Sequence, residues 1–180
     1  MRSILFFASC LLFISSTAFS QDFRGLDKSP LDIAYYPDGF AHDRKPGEGP
    51  VMKVIYSRPQ LNGRTMLGDK EPYGKVWRTG ANEATEVKVF QDVMIGGKKL
   101  SAGTYSLFTI PNEDKWTVIF SSDLDYWGAY RYNEENDVLR AEASVSSLDE
   151  SVEAFTIQFD EGVMQMAWGE TMAELPIEMN

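Results

Sequence analysis

Three observations predict an all-β domain. From residue 31 onward the chain is a succession of short runs in which apolar and polar residues alternate. Turn signals rich in Gly, Pro, Asn and Asp cut those runs at near-regular intervals. No stretch after residue 20 carries the 3.6-residue periodicity of a sustained amphipathic helix. Together they fit a single-domain antiparallel β-sandwich, jelly-roll-like, with a long ordered loop between its early strands.

The elements follow in order. Leu31 to Tyr36 reads as a first strand, and the polar, turn-rich stretch from Pro37 to Pro50 as a loop. Val51 to Tyr56 has apolar residues on both faces, as a buried strand does. Glu86 to Val93 is the next strand, and Ile95-Gly96-Gly97-Lys98 reads as a tight hairpin turn with glycines where φ must be positive. Thr104 to Ile110 and Lys115 to Phe120 are joined by the turn at Pro111 to Asp114. A short helical turn is expected around Asn133 to Val138, and a strand at Ala141 to Val145. Phe155, Ile157 and Phe159 alternate with polar residues, Asp160-Glu161-Gly162 turns the chain, and Met164, Met166 and Trp168 alternate in the next strand. Ala173, Leu175 and Ile177 read as an edge strand, because Pro176 cannot donate to a central ladder.

The N-terminus reads as a secretory signal peptide over residues 1–20. Arg2 supplies a positive start, Ile4 to Ile14 is an apolar run short for a membrane span, and Ala18-Phe19-Ser20 before Gln21 forms a small-residue cleavage site. Phe7-Ala8-Ser9-Cys10 superficially resembles a lipid-attachment box, but the apolar run continues past Cys10. The expected mature chain, residues 21–180, is one β-sandwich domain, exported to the periplasm or the extracellular space, with no transmembrane segment. It contains no cysteine, since Cys10 leaves with the leader, which excludes disulfides, thiol catalysis and thiolate metal sites. The full chain carries 17 basic and 27 acidic residues for a net charge of −10, and loss of Arg2 makes it one unit more negative. With no compensating basic run, nucleic acid is not an expected partner.

The segment Tyr56 to Thr85 stands apart from this regular pattern. It brings Arg58, Arg64 and Arg78, several glycines and prolines, Trp77 and the turn Gly80-Ala81-Asn82-Glu83 into a stretch too irregular for a strand or a helix. A long ordered loop in a compact domain is usually functional. Guanidinium forks suit carboxylates, phosphates and sugar hydroxyls. Arg58, Arg64 and Arg78, with Asn82 and with Tyr73 or Trp77 as an aromatic wall, are the candidate ligand-binding residues. The alternative is that these arginines pin the loop by binding carbonyls and local acids such as Glu71, Glu83 or Glu86. Strand parity adds a constraint: if Lys75 to Thr79 is extended, Arg78 shares a face with Val76, while Trp77 points the other way.

The same residues resemble a bacterial family known as domain of unknown function 2911. The resemblance rests on Tyr56-Ser57-Arg58-Pro59, Gly63-Arg64, Gly68, Pro72-Tyr73-Gly74, the run from Val76 to Thr85, the run from Ala102 to Pro111, Trp116-Thr117-Val118-Ile119 and Trp127-Gly128. It covers about residues 29–178. It implies an exported protein with a β fold and supplies no mechanism. Leu67 departs from the family pattern, where an aromatic often precedes the glycine.

Other candidate chemistry is sparser. Tyr126, Trp127, Tyr130 and Tyr132 crowd one segment, and exposed rings there would stack on sugar faces, although aromatics also fill cores. Asp123, Asp125, Gly128 and Glu134 mimic a calcium-loop spacing, but Trp127 stands where a ligand is needed, so no metal site is expected. His42 is the only histidine, and no nucleophile elbow accompanies it. Glu83 is the candidate catalytic acid, placed beside the arginine loop. The leading expectation is therefore a binding module for a small polar or anionic ligand or a glycan, without a cofactor. The alternatives are a hydrolase- or isomerase-type enzyme using Glu83 in the same pocket, and a structural envelope protein in which the arginine loop is an internal brace.

Overall fold

A computed structural model describes residues 23–179, so the leader expected over residues 1–20 lies outside the described residues. Nine strands run in chain order: β1 (Leu31–Tyr36), β2 (Met52–Ser57), β3 (Thr85–Val89), β4 (Val93–Ile95), β5 (Lys98–Leu100), β6 (Gly103–Ile110), β7 (Lys115–Ser121), β8 (Asp137–Asp160) and β9 (Val163–Met179). One helical turn, α1 (Phe40–Asp43), and a 3₁₀ turn at Glu134–Asn136 are the only helical elements among the described residues. The fold is all-β, as predicted. Its strands form one continuous antiparallel sheet in the order β1-β2-β3-β6-β7-β8-β9-β4-β5, rather than two separately hydrogen-bonded sheets.

The sheet bends along its two longest strands, β8 and β9. The sequence shows short strands at Ala141 to Val145 and around Phe155, but both belong to a single 24-residue strand, β8. Register shifts between Ser147 and Val152, and between Val152 and Thr156, mark the irregularities along it, and bulges of this kind let a strand turn a corner. The first part of β8 pairs with β7, and its second part returns over β2. There Tyr56 Oη donates to the Ile157 carbonyl at 3.2 Å and accepts from the Ile157 N–H at 3.0 Å.

The stretch around Pro176 is not an edge strand. It belongs to β9, which lies between β8 and β4. The β8 register ends at Glu174, so Pro176 lies where β9 has no β8 partner and its missing N–H costs no ladder bond. Its carbonyl still accepts from Gly96 N–H at 3.0 Å. The Glu86 to Val93 run likewise divides: β3 ends at Val89, and β4 begins at Val93 in the hairpin that contains Gly96 and Gly97.

The inward face of the bent sheet holds an aromatic core. Trp77 stacks on Trp168 with centroids 5.5 Å apart, meets Trp116 edge-on at 6.1 Å, and meets Phe155 edge-on at 4.9 Å. Rings in such offset and T-shaped contact gain beyond the area they bury. The outward face of β6 and β7 is covered as well. The excursion from residue 122 to 136 lays Tyr126 and Tyr132 edge-on against Phe108 at 6.4 and 5.1 Å, which explains why an outward-facing Phe108 is buried.

Candidate binding site

The long loop is tied down at separate points. At its start, Pro59 accepts from Phe155 N–H at 2.9 Å, and Leu61 N–H donates to the Glu153 carbonyl at 2.9 Å, which fastens the loop to β8. Toward its end, Trp77 exchanges both backbone bonds with Thr109 of β6, at 2.7 and 2.9 Å. The turn from residue 80 to 84 is fastened to the aromatic excursion: Ala84 N–H donates to Tyr126 O at 2.8 Å and Gly128 N–H to Asn82 O at 2.9 Å. Because the anchors differ, the three arginines do not converge on one pocket.

Arg58 is a brace. Its Nε donates to the Phe155 carbonyl at 3.0 Å, Nη1 to Asp32 Oδ2 at 2.9 Å and Nη2 to Thr156 Oγ1 at 2.6 Å, joining β1, β2 and β8. Arg64 also folds back on its own turn, with Nε on the Leu61 carbonyl at 2.9 Å and Nη2 on the Gln60 carbonyl at 2.7 Å. Together with Tyr73 it lines a cavity of about 360 Å³ against Trp168 and Gly169 of β9.

Arg78 is different. No hydrogen bond or ion pair to its guanidinium occurs among the described residues, and its Nε is buried without a partner. It lines a cleft of about 410 Å³ with Lys70, Glu71, Val76, Ala129 and Tyr130, and the edge of Trp77 reaches the same cleft. As strand parity anticipates, Val76 and Arg78 face the cleft, while Trp77 turns inward and is only 2% exposed. Trp77 is therefore a core residue and not the aromatic wall of the site. Its Nε1 donates to the Gly80 carbonyl at 3.0 Å. The exposed wall is Tyr130, at 86%. Trp127, at 62%, stands with Tyr130 along an adjoining cavity of about 690 Å³ that Arg131 also lines. The aromatic segment and the arginine loop, separate in the sequence, meet here.

The backbone around Arg78 is held under constraint. Thr79 has φ of 57°, a left-handed conformation that a β-branched residue rarely adopts. It is fully buried, with its hydroxyl 3.1 Å from that of Thr109 and its carbonyl accepting from Thr85 Oγ1 at 2.7 Å. Gly80 is required by close approach: a Cβ there would meet the Ser57 carbonyl at 2.9 Å. Gly128 has φ of 71°, and a Cβ would meet the Tyr130 ring at 2.7 Å. Asn82 also has positive φ, 62°, and its carbonyl holds Gly128, so its place in the site is conformational. The aromatic segment is fixed from below. Tyr132 Oη donates to Asp137 at 2.7 Å, and Arg140 contacts Asp137 and Tyr132 at 2.6 and 2.7 Å. Burial, followed by the bond to Asp137, raises the Tyr132 pKa to about 12.

Residues 43–177 match the family model described as Protein of unknown function (DUF2911). The chain belongs to this family. No curated protein and no solved structure matches it. In this DUF2911 chain the residues of the resemblance divide by role. Arg58, Trp77 and Gly80 hold the loop in place, whereas the Arg78 guanidinium has no protein acceptor among the described residues.

Glu71 is the acid that lines the cleft with Arg78. It is half-buried in the same cleft, and desolvation raises its pKa, while the charge of Arg78 opposes that rise. Glu83 is exposed and lines a different cavity with Glu86. In the sequence Glu71 reads only as a pairing partner for the arginines, because nothing in spacing reveals desolvation. Asp123, a member of the calcium-loop mimic, accepts from Tyr126 Oη and from Asn136 Nδ2, so its carboxylate serves the excursion itself. His42 Nδ1 lies 2.6 Å from Asp43 on an exposed turn.

Proposed function

We propose that the DUF2911 chain is a binding module for a small polar or anionic ligand or a glycan, held at the Arg78 cleft. The observation that carries this reading is the Arg78 guanidinium, which has no protein partner among the described residues. Arg78 lines the cleft without a protein acceptor among the described residues, and a ligand carboxylate, phosphate, sulfate or sugar hydroxyl there would accept from its guanidinium. The strain at Thr79, next to Arg78, is of the kind that accumulates at binding sites. Tyr130 and Trp127 offer exposed rings beside the cationic group, an arrangement suited to sugar faces. Titration calorimetry against neutral and acidic oligosaccharides and small anions tests the reading. Binding that Arg78→Ala abolishes and Arg64→Ala leaves intact is expected. Binding that is indifferent to Arg78 refutes it.

A second reading rests on one observation. An acid with a raised pKa beside an arginine in a cleft suits general acid-base work, which points a hydrolase- or isomerase-type activity to Glu71 rather than Glu83. Turnover lost in Glu71→Gln with ligand affinity preserved is the expected signature. The brace reading applies to Arg58 and Arg64, whose donors are occupied by protein acceptors.

Export belongs to the same proposal. The leader-like residues 1–20 and the absence, among the described residues, of any helix long and apolar enough to cross a membrane accord with it. N-terminal sequencing of the protein recovered from the periplasm or medium should begin at Gln21, and recovery of Met1 would refute cleavage.

A further inference from the structure

A cavity of about 300 Å³ lies on the outward face of the sheet, sharing no lining residue with the arginine cleft and lined by a different chemistry. Its floor is a row across three strands, in which Ile55 of β2 is opposite Glu86 of β3 and Glu86 is opposite Ser106 of β6. Ser57 extends the floor, Leu31 and Ala84 close its sides, and Leu124 and Asp125 of the aromatic excursion overhang it, with Glu83 on the rim. Leu31, Ile55, Ala84 and Leu124 give it apolar walls. Three acidic residues line it, Glu83, Glu86 and Asp125, and no Lys or Arg does.

None of these carboxylates has an ion-pair partner among the described residues, although other surface acids such as Asp32, Asp92 and Glu142 do. Acidity alone does not make a site, but the serines add an independent indication. Ser57 and Ser106 are 5% and 3% exposed, both line the cavity, and neither hydroxyl makes a hydrogen bond among the described residues. Serines this deeply buried whose hydroxyls open onto a cavity offer them to whatever occupies it, water or a ligand.

We infer that this cavity is a binding site for an organic cation, an alkylammonium carried on an apolar stem. The apolar walls take the stem, while Glu86, the two serine hydroxyls and the rim acids take the charged head. An inorganic ion fits poorly, because no three acidic or histidine side chains among the described residues converge as metal ligands do. An ammonium on a flexible stem needs no such convergence, since its three N–H groups reach spaced acceptors. The net charge of −10 favours a cation over long range. The same head and stem occur in free aliphatic amines and in the lysine side chain of a partner peptide.

The test is a titration of the purified protein with 1,5-diaminopentane and with Nα-acetyl-lysine amide, followed by ¹H–¹⁵N NMR, with 1-pentanol and glutarate as neutral and anionic controls. Saturable shifts at Ile55, Glu86 and Ser106 for either amine, absent for both controls, are expected. The tighter of the two amines names the source. Glu86→Gln should weaken binding by about tenfold or more, as loss of a charge-assisted hydrogen bond does. Glu83→Gln, on the exposed rim, is the second variant should Glu86→Gln fail to fold, and is expected to weaken binding less. No saturable shift at these residues with either amine would overturn the inference. So would 1-pentanol binding as well as the amines, or an affinity indifferent to both substitutions.

Discussion

Arg58 and Arg78 stand at opposite ends of one loop and have opposite fates. Arg58 spends its donors on a carbonyl of β8, a carboxylate of β1 and a hydroxyl of β8, and draws three strands together. Arg78 is carried by an equally ordered backbone, fixed through Trp77 and Thr85, yet its guanidinium meets no protein acceptor among the described residues. The loop is therefore both brace and presenter: its first end pays for order, and its second uses that order to hold a cation beside a cleft. A chain that needed both arginines for stability would have paired both.

Substitution separates the two arginines, and the largest effect should come from the core beneath the loop. Trp77→Ala opens the stacked aromatic core and should cost about 3–5 kcal/mol, as other large-to-small core changes do. Chemical denaturation checks this, and a loss below about 1 kcal/mol would mean that the loop is not anchored through Trp77. Arg58→Ala comes next, at about 2–3 kcal/mol, because it leaves the Phe155 carbonyl and Asp32 without their charged donor. Asn82→Ala should cost about 1 kcal/mol through its positive φ, and Asn82→Gly should recover most of that, since the role argued for Asn82 is conformational. Equal losses in both variants would return its amide to the site.

Glu71 sharpens the comparison by pH. Its folded-state pKa is raised, so its contribution to stability is complete below the unfolded pKa and is lost as pH rises through the raised folded value. Glu71→Gln should remove that pH dependence and leave the protein at least as stable above it. An anion bound at Arg78 should also bind more tightly as pH falls through the Glu71 pKa, because the neighbouring negative charge disappears. Melting and binding measured across the acidic range check both signs. Arg78→Ala should have the smallest stability effect, within about 0.5 kcal/mol of zero.

Much of the fold was legible because period-2 alternation and turn residues act locally. The hairpin at Gly96-Gly97, the turn at Asp160 to Gly162 and the parity that separates Trp77 from Arg78 all follow from neighbours in the chain. What escaped depends on distant partners. The exposed polar stretch between Ser146 and Ala154 reads as a break between strands, yet β8 continues through it, held to β9 at Ser146, Ser147 and Val152 across two register shifts. Pro176 reads as an edge because the register that ends at Glu174 cannot be seen in sequence. At the site, residue type identified the arginines but not which of them finds an acceptor, since the acceptors of Arg58 come from β1 and β8. The raised pKa of Glu71 and the meeting of Arg78 with Tyr130 likewise arise only once the chain is folded.

The most direct measurement is thermal melting of Arg58→Ala and Arg78→Ala beside the unaltered protein. In a domain of this size each kcal/mol shifts the midpoint by about 2–4 °C. Arg58→Ala should melt at least about 4 °C lower, and Arg78→Ala within about 2 °C of the parent or above it, as suits a residue kept for binding rather than for stability. If Arg78→Ala melts as low as Arg58→Ala, its guanidinium is a brace like the others, and the cleft loses its claim to be a binding site.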